Sequence, residues 1–175
     1  TLEPLDWSRL SERFAACCTQ KNSSALCDAA VFLGQFGTPS QKAISTGLLE
    51  ASALQGNTVA MALLGERLAR GFCCAPDPLR ANSIRRLARE LGLPVPAPDA
   101  AHGFASPEPA EPADMPAPFP ALDLSQAVRA PEGTLLDERA QLMVFPELLS
   151  AEECLYIQCL GGPQLAPSIS VDSNG

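Results

Sequence analysis

Histidine, tyrosine and tryptophan are almost absent from this chain of 175 residues, which has one of each. The single histidine, His102, lies in a His-Gly-Phe stretch between prolines. A metal centre that needs two imidazole ligands therefore cannot be built from this chain alone. We assign no catalytic, cofactor-binding or metal-ligating residue to it.

Long apolar runs and basic clusters with aromatic neighbours are also missing. No stretch of eighteen apolar residues and no charged-then-apolar leader is present, so the sequence predicts no membrane segment. Residues 1–92 carry ten basic and eight acidic side chains, net +2, whereas residues 93–175 carry two basic and twelve acidic, net −10. A nucleic-acid partner is not expected, because it would need a basic patch with aromatic residues for stacking. The uneven charge argues against one uniform domain.

The seven cysteines lack the spacing of a zinc site or a disulfide framework. There is no Cys-x-x-Cys, and the total is odd. We interpret them as small hydrophobic residues kept reduced in a cytoplasmic protein. They are Cys17, Cys18, Cys27, Cys73, Cys74, Cys154 and Cys159.

Residues 1–93 have helical periodicity throughout, and the start and stop signals agree with it. The predicted helices cover 6–19, about 24–36, Thr38-Pro39 to Gly56, the cap Asn57 to Gly71, and Asp77-Pro78 to just before Gly92. In the fifth helix we expect four residues to face inward: Leu79, Ile84, Leu87 and Leu91. The sequence therefore predicts a helical domain at 1–93.

Small residues and spaced leucines recur through the fourth and fifth helices. They are Ala53-Leu54-Gln55-Gly56-Asn57, then Ala60, Leu64-Gly65, Leu68, Gly71, Asp77, Ala81, Ala88 and Gly92. This unit is similar to the SEL-one-like repeat, a relative of the tetratricopeptide repeat, and Gly56 and Gly92 are 36 residues apart, the period of that class. A partial earlier copy lies around Leu33-Gly34 and Lys42-Ala43. The resemblance implies a short antiparallel helical-repeat solenoid that binds a protein or peptide partner.

Four arginines form a basic strip on the fifth helix: Arg80, Arg85, Arg86 and Arg89. The strip has two interpretations, a surface for an acidic partner or for the acidic segment that follows, and the solvated face of an ordinary helix. Glu66 and Arg70 form an i, i+4 pair that needs no functional explanation.

Residues 94–120 contain nine prolines among alanine and acidic residues. Such a segment cannot bury enough apolar surface to offset the entropy lost on ordering. We therefore predict an extended, semi-rigid linker that separates residues 1–93 from residues 121–175.

The last segment, 121–175, alternates short apolar runs with helix signals. We predict a short edge strand in 122–128, a turn at 131–134, a buried strand at 141–145, and a second apolar run at 169–171. Ser150 and Glu153 form a capping box for a helix that Gly161-Gly162-Pro163 should end with a left-handed cap. Because this segment would expose strand edges and an apolar helix face, we expect it to be poorly ordered or to lean on the helical domain.

The residues of this segment carry a second resemblance. They are Phe145, Leu149, Ser150, Glu152, Glu153, Cys154, Leu165, Pro167, Ser168, Val171, Asp172 and Gly175. This order resembles the opening of the catalytic domain of prolyl 4-hydroxylases and related iron(II)/2-oxoglutarate oxygenases, whose fold is a double-stranded β-helix. The resemblance implies iron(II), 2-oxoglutarate and ascorbate as cofactors of a complete protein. None is expected to bind this chain, which lacks the family's His-x-Asp pair and second histidine.

Together these patterns predict a mainly α chain. The order is a helical-repeat domain, a proline-rich linker, and the first strand and helix of an incomplete oxygenase domain. Because the sequence starts at Thr1 and stops in a turn, we expect a fragment, inactive alone, of a cytoplasmic prolyl 4-hydroxylase-like dioxygenase whose repeats contact a protein substrate. The alternative is a non-enzymatic helical-repeat scaffold.

Overall fold

The computed structural model describes residues 7–103, 122, 132–146 and 148–165. In these ranges the chain is mainly helical, with a two-stranded antiparallel sheet. The helices are α1 (Trp7–Thr19), α2 (Ser23–Phe36), α3 (Pro39–Leu54), α4 (Thr58–Arg70), α5 (Pro78–Glu90) and α6 (Ala151–Gly161), and the strands are β1 (Thr134–Asp137) and β2 (Leu142–Val144). Within the same ranges, no helix is long and apolar enough to cross a membrane.

Helices α2 to α5 begin at side-chain caps, as the sequence predicts for α3, α4 and α5. Thr38 forms a full capping box with Gln41 at the start of α3. Asn57 accepts a hydrogen bond from the amide of Ala60 at the start of α4. Each of these side chains satisfies an amide that the helix itself leaves unpaired. Gly71 ends α4 with φ of +69°, the left-handed conformation that glycine adopts without a Cβ penalty.

Consecutive helices pack against one another, α2 on α3, α3 on α4 and α4 on α5. Ser52, near the end of α3, and Asn57, the cap of α4, both donate to the carbonyl of Ser23. These two hydrogen bonds connect the α3–α4 turn to the start of α2. The core of these helices is made of leucine, alanine and cysteine, including Leu26, Leu33, Leu48, Leu49, Leu63 and Ala88.

The inward face predicted for α5 is wrong in three of its four positions. Leu79, Leu87 and Leu91 are 49%, 45% and 52% exposed, and the small residues Ala81 and Ala88 are buried instead. The reason is a close helix crossing. A Cβ at Gly65 would lie 3.3 Å from side-chain carbons of Ile84 and Arg85, so α4 and α5 approach through small residues and the leucines are turned outward. Ile84 is the one predicted residue that packs against the core.

The first part of the predicted linker is anchored to α5. The buried side chain of Asn82 donates to the carbonyl oxygens of Asp99 and Gly103 and accepts from the amide of Asp99. Val95 is buried as well. Residues 94–103 have no helix or strand and include a turn at 100–102, and 104–120 lie outside the described residues.

The predicted buried strand at 141–145 is shorter and exposed. β2 pairs with β1 in antiparallel register, Thr134 opposite Val144, and every residue of both strands is exposed. Gln141 has φ of +52° and belongs to the preceding turn, and β1 begins where the sequence predicts the end of a turn. The apolar composition predicted that a strand forms here. The strand is exposed because, within the described ranges, no second layer of structure packs on this hairpin. The edge strand and the run at 169–171 lie outside them, except for buried Leu122.

The left-handed end predicted for α6 is also wrong. Gly162 has φ of −50° and ψ of −47°, and its amide donates to the carbonyl of Gln158, so the helical hydrogen bonding continues through it. A 3-10 turn, Gly162–Gln164, then ends the segment.

Candidate functional site

Helix α6 leans on the helical domain and packs mainly against α4. Its first turn is fixed by a capping box in which Ser150 accepts from the amide of Glu153 and the Glu153 carboxylate accepts from the amide of Ser150. Leu155 and Cys159, one helical turn apart, are buried in the interface. The same face of α6 carries Glu152, which makes the main polar contact between α6 and the helical domain.

The guanidinium of Arg67 in α4 is buried and forms a two-pronged ion pair with Glu152. Its Nε donates to Oε1 and its Nη2 donates to Oε2, the latter at 2.9 Å. Nη1 donates to Oγ of Ser45 at 2.7 Å, and Nη2 also donates to the carbonyl of Ala30 at 2.8 Å. Arg67 is 1% exposed and Glu152 is 12% exposed. A buried charge is tolerated when it is paired and hydrogen-bonded in this way, and this one joins α2, α3, α4 and α6.

A glycine in α2 makes room for this arginine. A Cβ at Gly34 would overlap Nη2 of Arg67 and lie 3.4 Å from Oε2 of Glu152. On another side, the ring of Phe72 lies 5.4 Å from the guanidinium carbon, within cation–π distance. The position of α6 therefore depends on the missing side chain at Gly34 as well as on the two charges.

Tyr156 provides a second polar contact between α6 and the helical domain. Its hydroxyl donates to Oδ1 of Asp28 in α2. Burial raises the pKa of Asp28, an effect that the hydrogen bond from Tyr156 opposes. Burial and the neighbouring Asp28 raise the pKa of Tyr156, so its hydroxyl keeps its proton and acts as a donor.

A cleft of about 550 Å³ lies where α4, the proline segment and the start of α6 meet. We call it the junction cleft and define it by six of its lining residues: Glu66, Arg70, Phe72, Pro94, Pro96 and Gln158. Its volume is typical of a ligand site, and its lining combines apolar surface with a few polar groups.

Glu66 is the central charged group beside the junction cleft. Its Oε1 accepts from Nε of Arg85 at 2.7 Å, and its Oε2 lies 3.4 Å from Nε of Arg70 without forming a hydrogen bond. The carboxylate is 10% exposed, whereas Arg70 is 60% exposed. Arg85 is therefore the main partner of Glu66, and the guanidinium of Arg70 extends toward solvent.

The cysteines show no arrangement that suggests chemistry. All seven are free thiols. Burial raises the pKa of Cys18 and of Cys27 to about 12, so both remain protonated at neutral pH. In the described part of the chain, no three histidine, cysteine, aspartate or glutamate side chains come together as metal ligands. His102 is exposed and bonded to Asp99 through Nδ1 at 2.6 Å.

The arginine strip predicted from sequence is largely used within the domain. Arg80 pairs with Glu50 at 2.7 Å, and Arg85 pairs with Glu66. The sequence interpretation missed Arg67, the most connected polar residue of the site. A signal was present, because Arg67 lies seven residues after Ala60, on the face that also carries Leu63 and Leu64. A charge on an apolar helical face indicates a buried partner.

No protein-family model matches the chain, and no curated protein or solved structure matches it.

Proposed function

We propose that this chain is the N-terminal part of a prolyl 4-hydroxylase-like iron(II)/2-oxoglutarate-dependent dioxygenase. In this proposal the helices of residues 1–93 bind a protein or peptide partner and hold the first elements of the catalytic domain in one position. The observation that carries it is helix α6, which is apolar on both faces and has a partner on only one of them among the described residues.

The inner face of α6 is buried against the helical domain through Leu155 and Cys159. On its outer face Ile157 is 50% exposed and Leu160 is 46% exposed. Large apolar side chains on the outer face of a helix whose inner face is already packed favour a second contact surface. The neighbouring hairpin and turn expose further large apolar side chains: Leu135, Leu136, Leu142, Met143, Val144, Phe145, Leu148 and Leu149. So much exposed apolar surface favours a covering layer, and the remaining sheet of an oxygenase domain would supply one.

The helical domain has features that support a repeat module. Its helices pack in chain order, and glycines lie where side chains of other helices approach closely, Gly34 beside Arg67 and Gly65 beside Arg85. Stacked helical hairpins of this kind present an extended surface to a partner. We place the protein in the cytoplasm, because its cysteines are free thiols, which a reducing compartment maintains.

The residues of this chain do not fit an iron site. A triad of two histidines and one carboxylate needs two imidazoles, and the chain has only His102. In the proposal, the ligands of iron and 2-oxoglutarate therefore come from residues outside this sequence, and no catalytic step is assigned to residues 1–175.

The proposal is tested by expressing the protein from the complete reading frame and measuring iron- and 2-oxoglutarate-dependent succinate release. Turnover that disappears when a downstream His-x-Asp pair is changed to Ala-x-Ala would support the dioxygenase. A folded full-length protein without iron binding or decarboxylation would refute it and would leave the alternative, a non-enzymatic helical-repeat interaction protein.

A further inference from the structure

Among the described residues, the three arginines at the junction cleft outnumber the two glutamates by one. Glu152 is neutralised by Arg67, with which it shares two hydrogen bonds. Glu66 is neutralised by Arg85, which donates to it at 2.7 Å. Arg70 is the third arginine of the group, and among the described lining residues both carboxylates, Glu66 and Glu152, have a closer guanidinium partner than Arg70.

Arg70 lines the cleft with its side chain 60% exposed, so its guanidinium is accessible to a ligand. Its contact with Glu66 is made through Nε, at 3.4 Å from Oε2. The two Nη groups lie on the opposite edge of the planar guanidinium from Nε. That edge forms the fork that binds a carboxylate through two parallel hydrogen bonds. Arg70 thus lines the cleft beside Glu66, whose main partner is Arg85.

The other lining groups favour a peptide over a small anion. Phe72 is 37% exposed, and Pro94 and Pro96 are exposed beside it, so an apolar side chain next to the bound carboxylate has surface to contact. Gln158 of α6 adds a side-chain amide that can bond to a peptide backbone. We propose that the junction cleft binds an acidic, apolar peptide segment of a partner protein, with Arg70 holding the peptide carboxylate.

This inference rests on the proposed function, because it specifies where the helical domain meets its partner. Its test is independent of turnover, since it uses the 175-residue chain without iron or 2-oxoglutarate. Failure of the peptide to bind and failure of the full-length protein to release succinate are therefore separate results.

The experiment titrates the ¹⁵N-labelled chain with the blocked peptide acetyl-Ala-Leu-Glu-Leu-Pro-Ala-amide and with its glutamine counterpart. We expect the glutamate peptide to shift the signals of Arg70 Nε, Phe72 and Gln158 in a saturable way. The glutamine peptide should bind about tenfold more weakly, because it lacks the charged partner of the fork. Arg70→Gln should cause the same loss, and Arg89→Gln, an equal charge change at an exposed site on α5, should cause none.

Four outcomes would overturn the proposal. Equal binding of the glutamate and glutamine peptides would show that no carboxylate is recognised. Equal affinities in the Arg70→Gln and Arg89→Gln variants would remove Arg70 from the site. Sodium acetate that shifts the same signals as strongly as the peptide would show a simple anion site, and an absence of shifts with either peptide would show that the cleft does not bind this class of ligand.

Discussion

Replacing Glu152 with glutamine should show how much of the stability of the interface between α6 and the helical domain comes from the ion pair and how much from apolar contacts. The substitution keeps the size of the side chain and one acceptor oxygen but removes the charge opposite Arg67. Because Arg67 is 1% exposed, water cannot replace the lost carboxylate without opening the interface. The change therefore leaves a buried charge without a counter-charge.

Removing one member of a buried ion pair costs about 3–5 kcal/mol. The lower end applies here, since Glu152 is 12% exposed and the glutamine oxygen can still accept one of the two hydrogen bonds. We expect Glu152→Gln to lower the free energy of unfolding by about 3 kcal/mol. Opening of α6 alone is an alternative to global unfolding, so hydrogen exchange of the α6 amides should accelerate by about two orders of magnitude or more if the joint opens locally.

The assay combines urea denaturation with hydrogen exchange, and Glu138→Gln is the matched control. Glu138 is exposed in the turn between β1 and β2, and its carboxylate makes none of the contacts described above. The Glu138→Gln substitution should change the free energy of unfolding by less than about 0.5 kcal/mol. A Glu152→Gln variant that matches this control in both measurements would refute the importance of the buried pair.

A double-mutant cycle extends the test. Arg67→Met alone leaves Glu152 without its cation, whereas Arg67→Met with Glu152→Leu removes both charges. The Oγ of Ser45 still donates to the carbonyl of Lys42 in the double variant, so little polar surface is left unpaired. We expect the double variant to be more stable than either single variant, with a coupling energy of about 2 kcal/mol. A coupling energy near zero would contradict the pairing.

Three further predictions concern single side chains. Gly34→Ala should lower stability by about 1–3 kcal/mol despite its better helix propensity, because its Cβ displaces the buried arginine. Gly161→Ala is its control and should be neutral or stabilising, because no atom of the described residues lies within 4 Å of the added Cβ. Tyr156→Phe should cost about 1–2 kcal/mol and shift the fluorescence-detected urea midpoint, because a partly buried carboxylate loses its donor. For Cys27 the pKa is raised from 9.0 to about 12, so stability falls as pH rises through this window, and Cys27→Ala should reduce that slope by about 1.4 kcal/mol per pH unit.

Each of these predictions has a contradicting result. Equal stability changes for the two glycine variants would show that the arginine can move without cost. A phenylalanine variant as stable as the parent would show that solvent replaces the hydroxyl. An unchanged alkaline slope in the alanine variant would show that the thiol of Cys27 ionises equally in the folded and unfolded chains. Its environment includes Asp28, Glu152, Arg67 and Cys159, so the slope must be compared at constant ionic strength.

The helices were predictable because their boundaries are set by local chemistry. Thr38, Asn57 and Asp77 cap α3, α4 and α5 where the sequence places them. The capping side chain lies within a few residues of the amide that it satisfies, so the signal is contained in a short window. The positive φ of Gly71 and Gly92 follows from the same local logic.

The site was not predictable in the same way, because its partners are distant in sequence. Arg67 and Glu152 are 85 residues apart, and Tyr156 and Asp28 are 128 apart. The apolar neighbours of Arg67 in α4 are a local signal that this charge is buried, but they do not identify its partner. The exposed leucines of α5 have a similar cause. Gly65 of α4 lets α4 and α5 cross closely. This crossing, and not the spacing of the leucines, decides which face of α5 is buried.

The buried pair and the junction cleft should be linked thermodynamically. The cleft takes Arg70 from α4 and Gln158 from α6, so a peptide that contacts both binds the chain only while α6 is docked. If Glu152→Gln leaves α6 docked for one-tenth of the time, the apparent affinity falls tenfold, because affinity scales with the fraction of competent protein. We therefore expect Glu152→Gln to weaken binding of the glutamate peptide without touching Arg70, and saturating peptide to restore hydrogen-exchange protection to α6. Unchanged peptide affinity in a variant whose α6 exchanges rapidly would show that the peptide does not bridge the two helices.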